Sequence, residues 1–364
     1  MLSEIGSSFW INPKDNNFSF NEISPRLFGI PFSDFAWLST GRSAIALAIE
    51  CAESNNKHFS RRVLLPSYTC ESVIKPFLDK GYSVEFFSLN ERLEPDLSEI
   101  KKSIIETNVG IFLFHRYFGF DTIKNIDEIV ECCQEHNVTV IEDRTQCLYS
   151  DIPLSNADYF IGSMRKWCEI PDGGFITCRQ GIIERKPEEK NLEFEQIKLE
   201  ASYAKYDYIF DGKGDKSTFL RQFTEAEELL EKQENIYCIS DSSLAIQGTL
   251  NIQELKTSRR KNYRFLVNGL QNIKGIKPLF ESFPQEVTPL YLPVIAENRE
   301  KIRSELREDA IYLPVIWPKA DVVNTNSTAT EYLYEHLLCI PIDQRYGIDD
   351  MQRIIECLGR VNDD

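Results

Sequence analysis

Four short stretches of this chain carry residue types that could do chemistry. In "DYFIGSMRKWCEIPDGG" (158–174) an apolar run ends with Lys166 beside Trp167, three residues after Ser163. Burying an ammonium costs free energy unless it is paired or neutralised. A partly buried lysine with a lowered pKa is a nucleophile toward carbonyls; a surface lysine snorkelling past Trp167 fits the same letters. In "VTVIEDRTQC" (138–147) an apolar run delivers Glu142 and Asp143 to its end. An acid there can cap the backbone or face a ligand, and Gln146 points the same way if a helical turn follows. In "STGRSAIALAIECA" (39–52) Gly41 precedes an apolar helix. A glycine-led helix start offers free amides and a positive dipole end suited to phosphate, with Arg42 to add charge and Ser43 a hydroxyl; Ser43 as a plain N-cap is the other reading. In "PSYTCES" (66–72) Tyr68 could stack on a flat ligand, and Cys70 could be a nucleophile or a small packed residue.

These stretches need a scaffold. From about residue 61 to 178, apolar runs at 63–67, 84–89, 110–115, 138–143, 158–164 and 173–178 alternate with amphipathic segments. Several runs are apolar on both faces, as strands buried in a parallel sheet must be. In "TIKNIDEIVECCQEH", Ile126, Ile129, Val130 and Cys133 recur at one helix face. The alternation predicts an α/β fold, a mostly parallel doubly wound sheet with helices on both faces. Residues 180–235 read as charged and helical, and 252–273 as one long helix. Apolar runs at 289–295, 311–317 and 337–343 and a final helix read as a smaller C-terminal α+β domain. The expected organisation is an N-terminal arm (1–30), a large domain (31–274) and a small domain (275–364).

In an open α/β sheet, ligands bind beyond the carboxyl ends of the strands. A phosphate cradle, an acid, a glutamine and a lysine placed there are the set pyridoxal 5'-phosphate (PLP) requires. It needs a lysine for its Schiff base, a carboxylate for its pyridinium nitrogen and an anion site for its phosphate.

The same stretches resemble the DegT-type sugar aminotransferases among fold-type-I PLP enzymes, over roughly residues 30–360. "TGRSAIALAI" is similar to the family's phosphate loop, "VIEDRTQC" to its "IEDAAQ" motif, and "SMRKWCEIPDGGFITC" to its lysine segment. "RRKNY" and "CIPIDQRYGIDDMQRI" resemble its closing portions, and the acid and lysine motifs lie 23 residues apart. The resemblance implies an internal aldimine on Lys166, with Asp143 on the pyridinium nitrogen and Gln146 on the ring 3'-oxygen. Ser163 and the backbone around Gly41, Arg42 and Ser43 would hold the phosphate, and Tyr68 would stand in for the aromatic the family carries at the position of Cys70. It implies a homodimer with a shared site, passing an amino group from an amino acid such as glutamate to a keto sugar, nucleotide-linked, for cell-surface polysaccharide. Arg144 and Thr145 replace the small residues usual after the acid, and the serine-to-lysine spacing is that of other type I aminotransferases. Lys166 stands where the sugar-dehydrating members carry histidine. Two alternatives remain: a different PLP reaction (aldolase, lyase or desulfurase, using Cys70 or Cys147) or a non-catalytic regulator with the same fold.

Bulk properties agree with a soluble globule. The chain has 364 residues, 42% apolar and 27% charged, with a formal net charge of -16, a balance opposed to non-specific nucleic-acid binding. No run reaches membrane-spanning length, and the N-terminus lacks the pattern of a secretory signal. The ten cysteines show no CxxC pair or zinc spacing and read as free thiols of a cytoplasmic protein; no metal site is expected.

Overall fold

The computed structural model describes residues 4–14, 23–55, 60–324 and 327–363. Of the expected N-terminal arm, residues 1–3 and 15–22 lie outside the described residues.

Among the described residues, ten strands form two sheets. They are β1 (Asp34–Leu38), β2 (Arg62–Pro66), β3 (Ser83–Phe87), β4 (Ile111–His115), β5 (Thr139–Asp143), β6 (Tyr159–Ser163), β7 (Gly174–Cys178), β8 (Ile276–Pro278), β9 (Leu292–Ala296) and β10 (Leu337–Ile340). The large sheet has the order β1-β7-β6-β5-β4-β2-β3 and the small one β10-β9-β8. The pairs β2–β3, β2–β4 and β4–β5 are parallel. β7 runs antiparallel to β1 and β6. Only a short turn segment separates β6 from β7, and a parallel return needs a crossover of about a dozen residues or more. The mostly parallel α/β sheet expected from the sequence is therefore observed, with an antiparallel β1–β7–β6 group.

All six apolar runs between 63 and 178 contain strands, and every residue of β4, β6 and β7 is buried. In the helix Asp127–Glu135 the expected face is inward: Ile129, Val130 and Cys133 are buried, as is Ile126 at its N-cap. The long helix is Ile252–Leu270 and the last is Ile348–Asp363. The charged segment forms two helices, Leu192–Tyr206 and Lys216–Glu231.

One expectation needs correction. The run at 311–317 is not a strand; it makes one isolated bridge, Ile311 with Ile5. Pro314 lies at its centre and cannot donate to a ladder. β1 and β8 were not apparent in the sequence. β1 is "DFAWL", too short and mixed to stand out, and β8 is three residues ending in Pro278.

By compactness the chain divides into two units. The first comprises Met1–Ser7, Ala52–Asp158 and Asn251–Asp364, and the second Ser8–Cys51 and Tyr159–Leu250. The first contains β2–β5 and the small sheet; the second contains β1, β6, β7 and the two charged helices.

Candidate active site

In the first unit, side chains alternate between faces along β5, so the adjacent acids part company. Glu142 is fully buried between two arginines: its Oε1 lies 3.0 Å from Arg116 Nε and 2.9 Å from Arg144 Nη1. Its Oε2 accepts from the Ser155 amide at 3.1 Å and hydroxyl at 2.6 Å. Arg116 also pairs with Asp121. Burial pushes the Glu142 carboxyl up, but Arg144, Arg116 and Ser155 bring it below its ordinary value. Glu142 is thus a structural anchor for the arginine that follows Asp143, which accounts for Arg144 where a small residue is usual.

Asp143 faces the other way. Its Oδ2 lies 3.1 Å from His115 Nδ1, and its Oδ1 accepts from the Thr145 amide at 2.8 Å. His115 is the register partner of Asp143 across β4 and β5, so both sit at strand carboxyl ends. The far nitrogen of the ring, Nε2, lies 2.6 Å from Thr69 Oγ1. Burial pushes the Asp143 carboxyl up; the hydrogen bond and charge of His115, with Thr145, more than offset it, and the group stays ionised at neutral pH. His115 ends β4, and nothing in the sequence alone couples it to Asp143.

Gln146 is buried, and its Oε1 accepts from the Phe118 amide at 2.8 Å. With the oxygen so held, Nε2 is the end that can donate to a ligand. Phe118 lies in the left-handed region at φ 56°, and the next residue, Gly119, has φ 98° and passes so close to Thr288 that a Cβ would lie 2.2 Å from its carbonyl oxygen. Tyr68 is buried in an aromatic cluster, its ring centroid 4.8 Å from Tyr334 and 5.2 Å from Trp317. Trp317 in turn lies 5.6 Å from the His115 ring. Cys70 caps the helix Glu71–Asp79, with Sγ 3.0 Å from Ser72 Oγ. Tyr117 and Trp317, which line His115, were not recognised in the sequence. Trp317 arrives from 202 residues downstream, and no local pattern signals that.

In the second unit, the helix Gly41–Asn55 begins at Gly41 and is capped by Thr40, whose Oγ1 accepts from the Ser43 amide at 3.0 Å. Ser43 is therefore inside the first turn and not its cap. Its hydroxyl lies 2.9 Å from Thr40 Oγ1 and 3.4 Å from Gln233 Nε2. The Arg42 guanidinium donates to the Leu230 carbonyl at 2.8 Å, so its charge is committed to the end of the helix Lys216–Glu231. The first intrahelical bond is Ala44 N to Thr40 O, which leaves the Gly41 and Arg42 amides at the positive end of the helix. Ser163, buried, closes on this point: a Cβ on Gly41 would lie 3.3 Å from Ser163 Cβ. Gly174 approaches too, and a Cβ there would lie 2.4 Å from the Thr40 backbone.

Lys166 ends a 3-10 turn, Met164–Lys166. With three residues per turn, Met164 and Trp167 eclipse on one side, and both are fully buried. Lys166 is thrown to the other side and is exposed, not partly buried as expected. The apolar anchor beside it explains how a lysine can end a buried strand: Trp167 takes the core position and Lys166 does not.

The first unit carries a buried, ionised carboxylate and an oriented amide, a donor set that suits a cationic ring nitrogen and a ring oxygen. The second carries a helix N-terminus, a buried hydroxyl and an amine, a set that suits a phosphate and an aldehyde. No cluster of His, Cys, Asp and Glu suited to a metal occurs among the described residues.

Residues 35–156 match the DegT/DnrJ/EryC1/StrS aminotransferase family. The resemblance read from the sequence, and with it the aminotransferase class, is borne out over those residues. Solved structures share the fold along nearly the whole chain. DesV of S. venezuelae is 15% identical with a TM-score of 0.66, covering 98% of this chain and 91% of that one. Helicobacter pylori PseC, an aminotransferase involved in the biosynthesis of pseudoaminic acid, is 12% identical with a TM-score of 0.67, covering 100% and 99%. A putative sugar aminotransferase of Streptococcus pneumoniae, Spr1654, solved in its PLP form, is 12% identical with a TM-score of 0.67, covering 99% of each chain. At these identities the likeness is one of fold.

Proposed function

We propose that this protein is a PLP-dependent aminotransferase that moves an amino group from an amino acid, glutamate, to a nucleotide-linked keto sugar. The observation that carries the reading is the buried Asp143 carboxylate, held ionised by His115 at the end of β5 within the segment that matches the family. When bound, PLP supplies an electron sink for the charge left on a substrate carbon that loses its proton. Each further role belongs to the chain. Asp143 keeps a proton on the ring nitrogen, because an ionised neighbour favours the protonated form. Gln146 donates Nε2 to the ring 3'-oxygen. The Gly41 and Arg42 amides and the Ser163 hydroxyl bind the phosphate. Lys166 would supply the amine that holds the cofactor and, when free, would move the proton at the substrate Cα. Tyr68, Trp317 and Tyr334 pack around the Thr69–His115 pair that holds Asp143.

An arm, a large domain and a small domain divided near residues 30 and 274, a homodimer that shares its sites, a cytoplasmic location and a place in polysaccharide biosynthesis belong to the same proposal. The homodimer and the pathway follow from the resemblance to the family matched over residues 35–156. Among the described residues no helix is long and apolar enough to cross a membrane. A thiol-dependent reaction fits the structure less well. Cys147 is fully buried, and burial pushes its thiol up to about 12, whereas a thiol nucleophile must ionise.

The test is spectroscopic. Purified protein supplied with PLP should absorb in the visible, bleach with glutamate and recover with a keto acid, and Lys166→Ala should lose the band. A spectrum that no amino donor changes overturns the reading.

A further inference from the structure

The segment that follows β2 carries Thr69, and a helix from far along the chain grips it. β2 ends at Pro66, and the Ser67 amide still donates to the Phe87 carbonyl at 2.9 Å. Beyond that point the buried backbone needs other partners. The helix Thr328–His336 provides them. The Tyr334 hydroxyl accepts from the Thr69 amide at 3.1 Å and donates to the Ser67 carbonyl at 2.9 Å, with the Thr69 carbonyl 3.3 Å away. Thr330, one turn earlier on the same helix face, places Oγ1 2.8 Å from Ser67 Oγ. Ser67, Thr69, Thr330 and Tyr334 are all buried. Burial pushes the Tyr334 hydroxyl up to about 12, so at neutral pH it keeps the proton it donates. The helix is itself held: the Arg299 guanidinium donates to the Tyr334 carbonyl at 2.5 Å, and the Ser327 hydroxyl caps the other end by accepting from the Thr330 amide at 3.2 Å.

Thr69 passes this order on. Its Oγ1 lies 2.6 Å from His115 Nε2, and His115 Nδ1 lies 3.1 Å from Asp143 Oδ2. Every step from Tyr334 to the carboxylate is thus a buried hydrogen bond, and the residues involved belong to one compact unit. Packing alone does not require the Tyr334 hydroxyl. A phenylalanine would fill the same space against Tyr68, whose ring centroid is 4.8 Å away. What the hydroxyl adds is a bridge between the two peptide groups that flank Tyr68, and that bridge fixes the direction in which the Thr69 side chain leaves the backbone.

We propose that Tyr334 is a positioning residue for Asp143: with Thr330 beside it, its hydroxyl fixes the Ser67–Thr69 backbone, and Thr69 and His115 relay that placement to the carboxylate. This rests on the reading of Asp143 as the partner of the cofactor's ring nitrogen.

The first measurement uses the cofactor-free, full-length protein. With isotope-labelled histidine, the NMR resonance of His115 Nδ1 reports the bond to Asp143 and is assigned by its absence in His115→Phe. Tyr334→Phe keeps the ring, removes the hydroxyl and should shift that resonance. Tyr263→Phe is the control: it removes a fully buried hydroxyl that donates to the Phe280 carbonyl at 2.6 Å, and should lower Tm while leaving the resonance in place. The second measurement is a double-mutant cycle read by spectral titration with PLP. Tyr334→Phe should weaken PLP binding by about three- to tenfold in the parent, and by less than about twofold in His115→Phe, because its effect travels through that ring. A resonance unmoved in Tyr334→Phe, or an equal loss of PLP affinity in both backgrounds, overturns the proposal. If Tyr334→Phe does not fold, Thr330→Val is read in its place, and an unmoved resonance there overturns it. The resonance needs no cofactor, so its failure to move leaves the visible-band test intact, and a protein that never develops the band still reports on Tyr334.

Discussion

Asp143 and His115 are register partners at the ends of adjacent parallel strands, with Oδ2 3.1 Å from Nδ1. The imidazole is fixed on its other side by Thr69, so the carboxylate is oriented by a buried ring that is itself oriented. A hydrogen bond to a charged group contributes on the order of 1.5–3 kcal/mol. His115→Phe is therefore expected to raise the Asp143 carboxyl and to lower kcat/KM by about tenfold or more. Steady-state kinetics, with circular dichroism to confirm the fold, checks this. Thr69→Val should produce a smaller loss in the same direction.

Glu142 makes a different prediction from its neighbour. Breaking a buried ion pair by removing one partner costs about 3–5 kcal/mol, because the other charge is left uncompensated. Glu142→Gln leaves Arg116 and Arg144 without their shared carboxylate. It should lower the denaturant midpoint sharply, while Asp143→Asn should abolish activity with far less effect on that midpoint.

Gly174→Ala tests the junction of β7 with the phosphate-facing turn. The new Cβ would lie 2.4 Å from the Thr40 backbone, a contact that only a backbone shift relieves. Overpacking of this kind costs about 1–3 kcal/mol. Because Thr40 caps the helix that begins at Gly41, the variant should show a lowered Tm together with weaker PLP binding, measured by spectral titration.

Asp172 gives stability a pH dependence with an unusual sign. It is buried in the turn after Lys166 and accepts from the Ser240 amide at 3.0 Å, the Ser240 hydroxyl at 2.7 Å and the Ser243 hydroxyl at 2.5 Å. Burial raises its carboxyl to about 6, with the two serines opposing. An unfolded aspartate titrates near ~3.9, so the folded chain binds more protons between that pH and about 6. The contribution of this group is fully present below the lower value and is lost as pH rises through the upper one. Asp172→Asn should therefore gain stability relative to the parent as pH rises across that window, and level off above it, in chemical denaturation at several pH values.

The sequence carried the elements well wherever a pattern was local. The six apolar runs between 63 and 178 all hold strands, and the face marked by Ile129, Val130 and Cys133 is the buried one. Short, mixed β1 escaped notice, and the run broken by Pro314 was too apolar to be read as irregular. Among site residues, local spacing singled out Asp143, Gln146, Ser163 and Lys166, yet it could not assign opposite duties to Glu142 and Asp143. The direction taken by Arg42, toward Leu230 and away from its own helix start, depends on a helix nearly 190 residues further along the chain.

The letters alone determined an α/β sheet with an acid at one strand end and a lysine at another, because hydrophobic period and strand punctuation are set by neighbours in sequence. Tertiary structure decided that His115 and Thr69 would serve Asp143, that Trp167 would take the core and leave Lys166 outside, and that Tyr334 would hold the segment carrying Thr69. Those outcomes turn on charge pairing and burial between segments far apart in the chain, energies that exist only once the segments have been brought into contact.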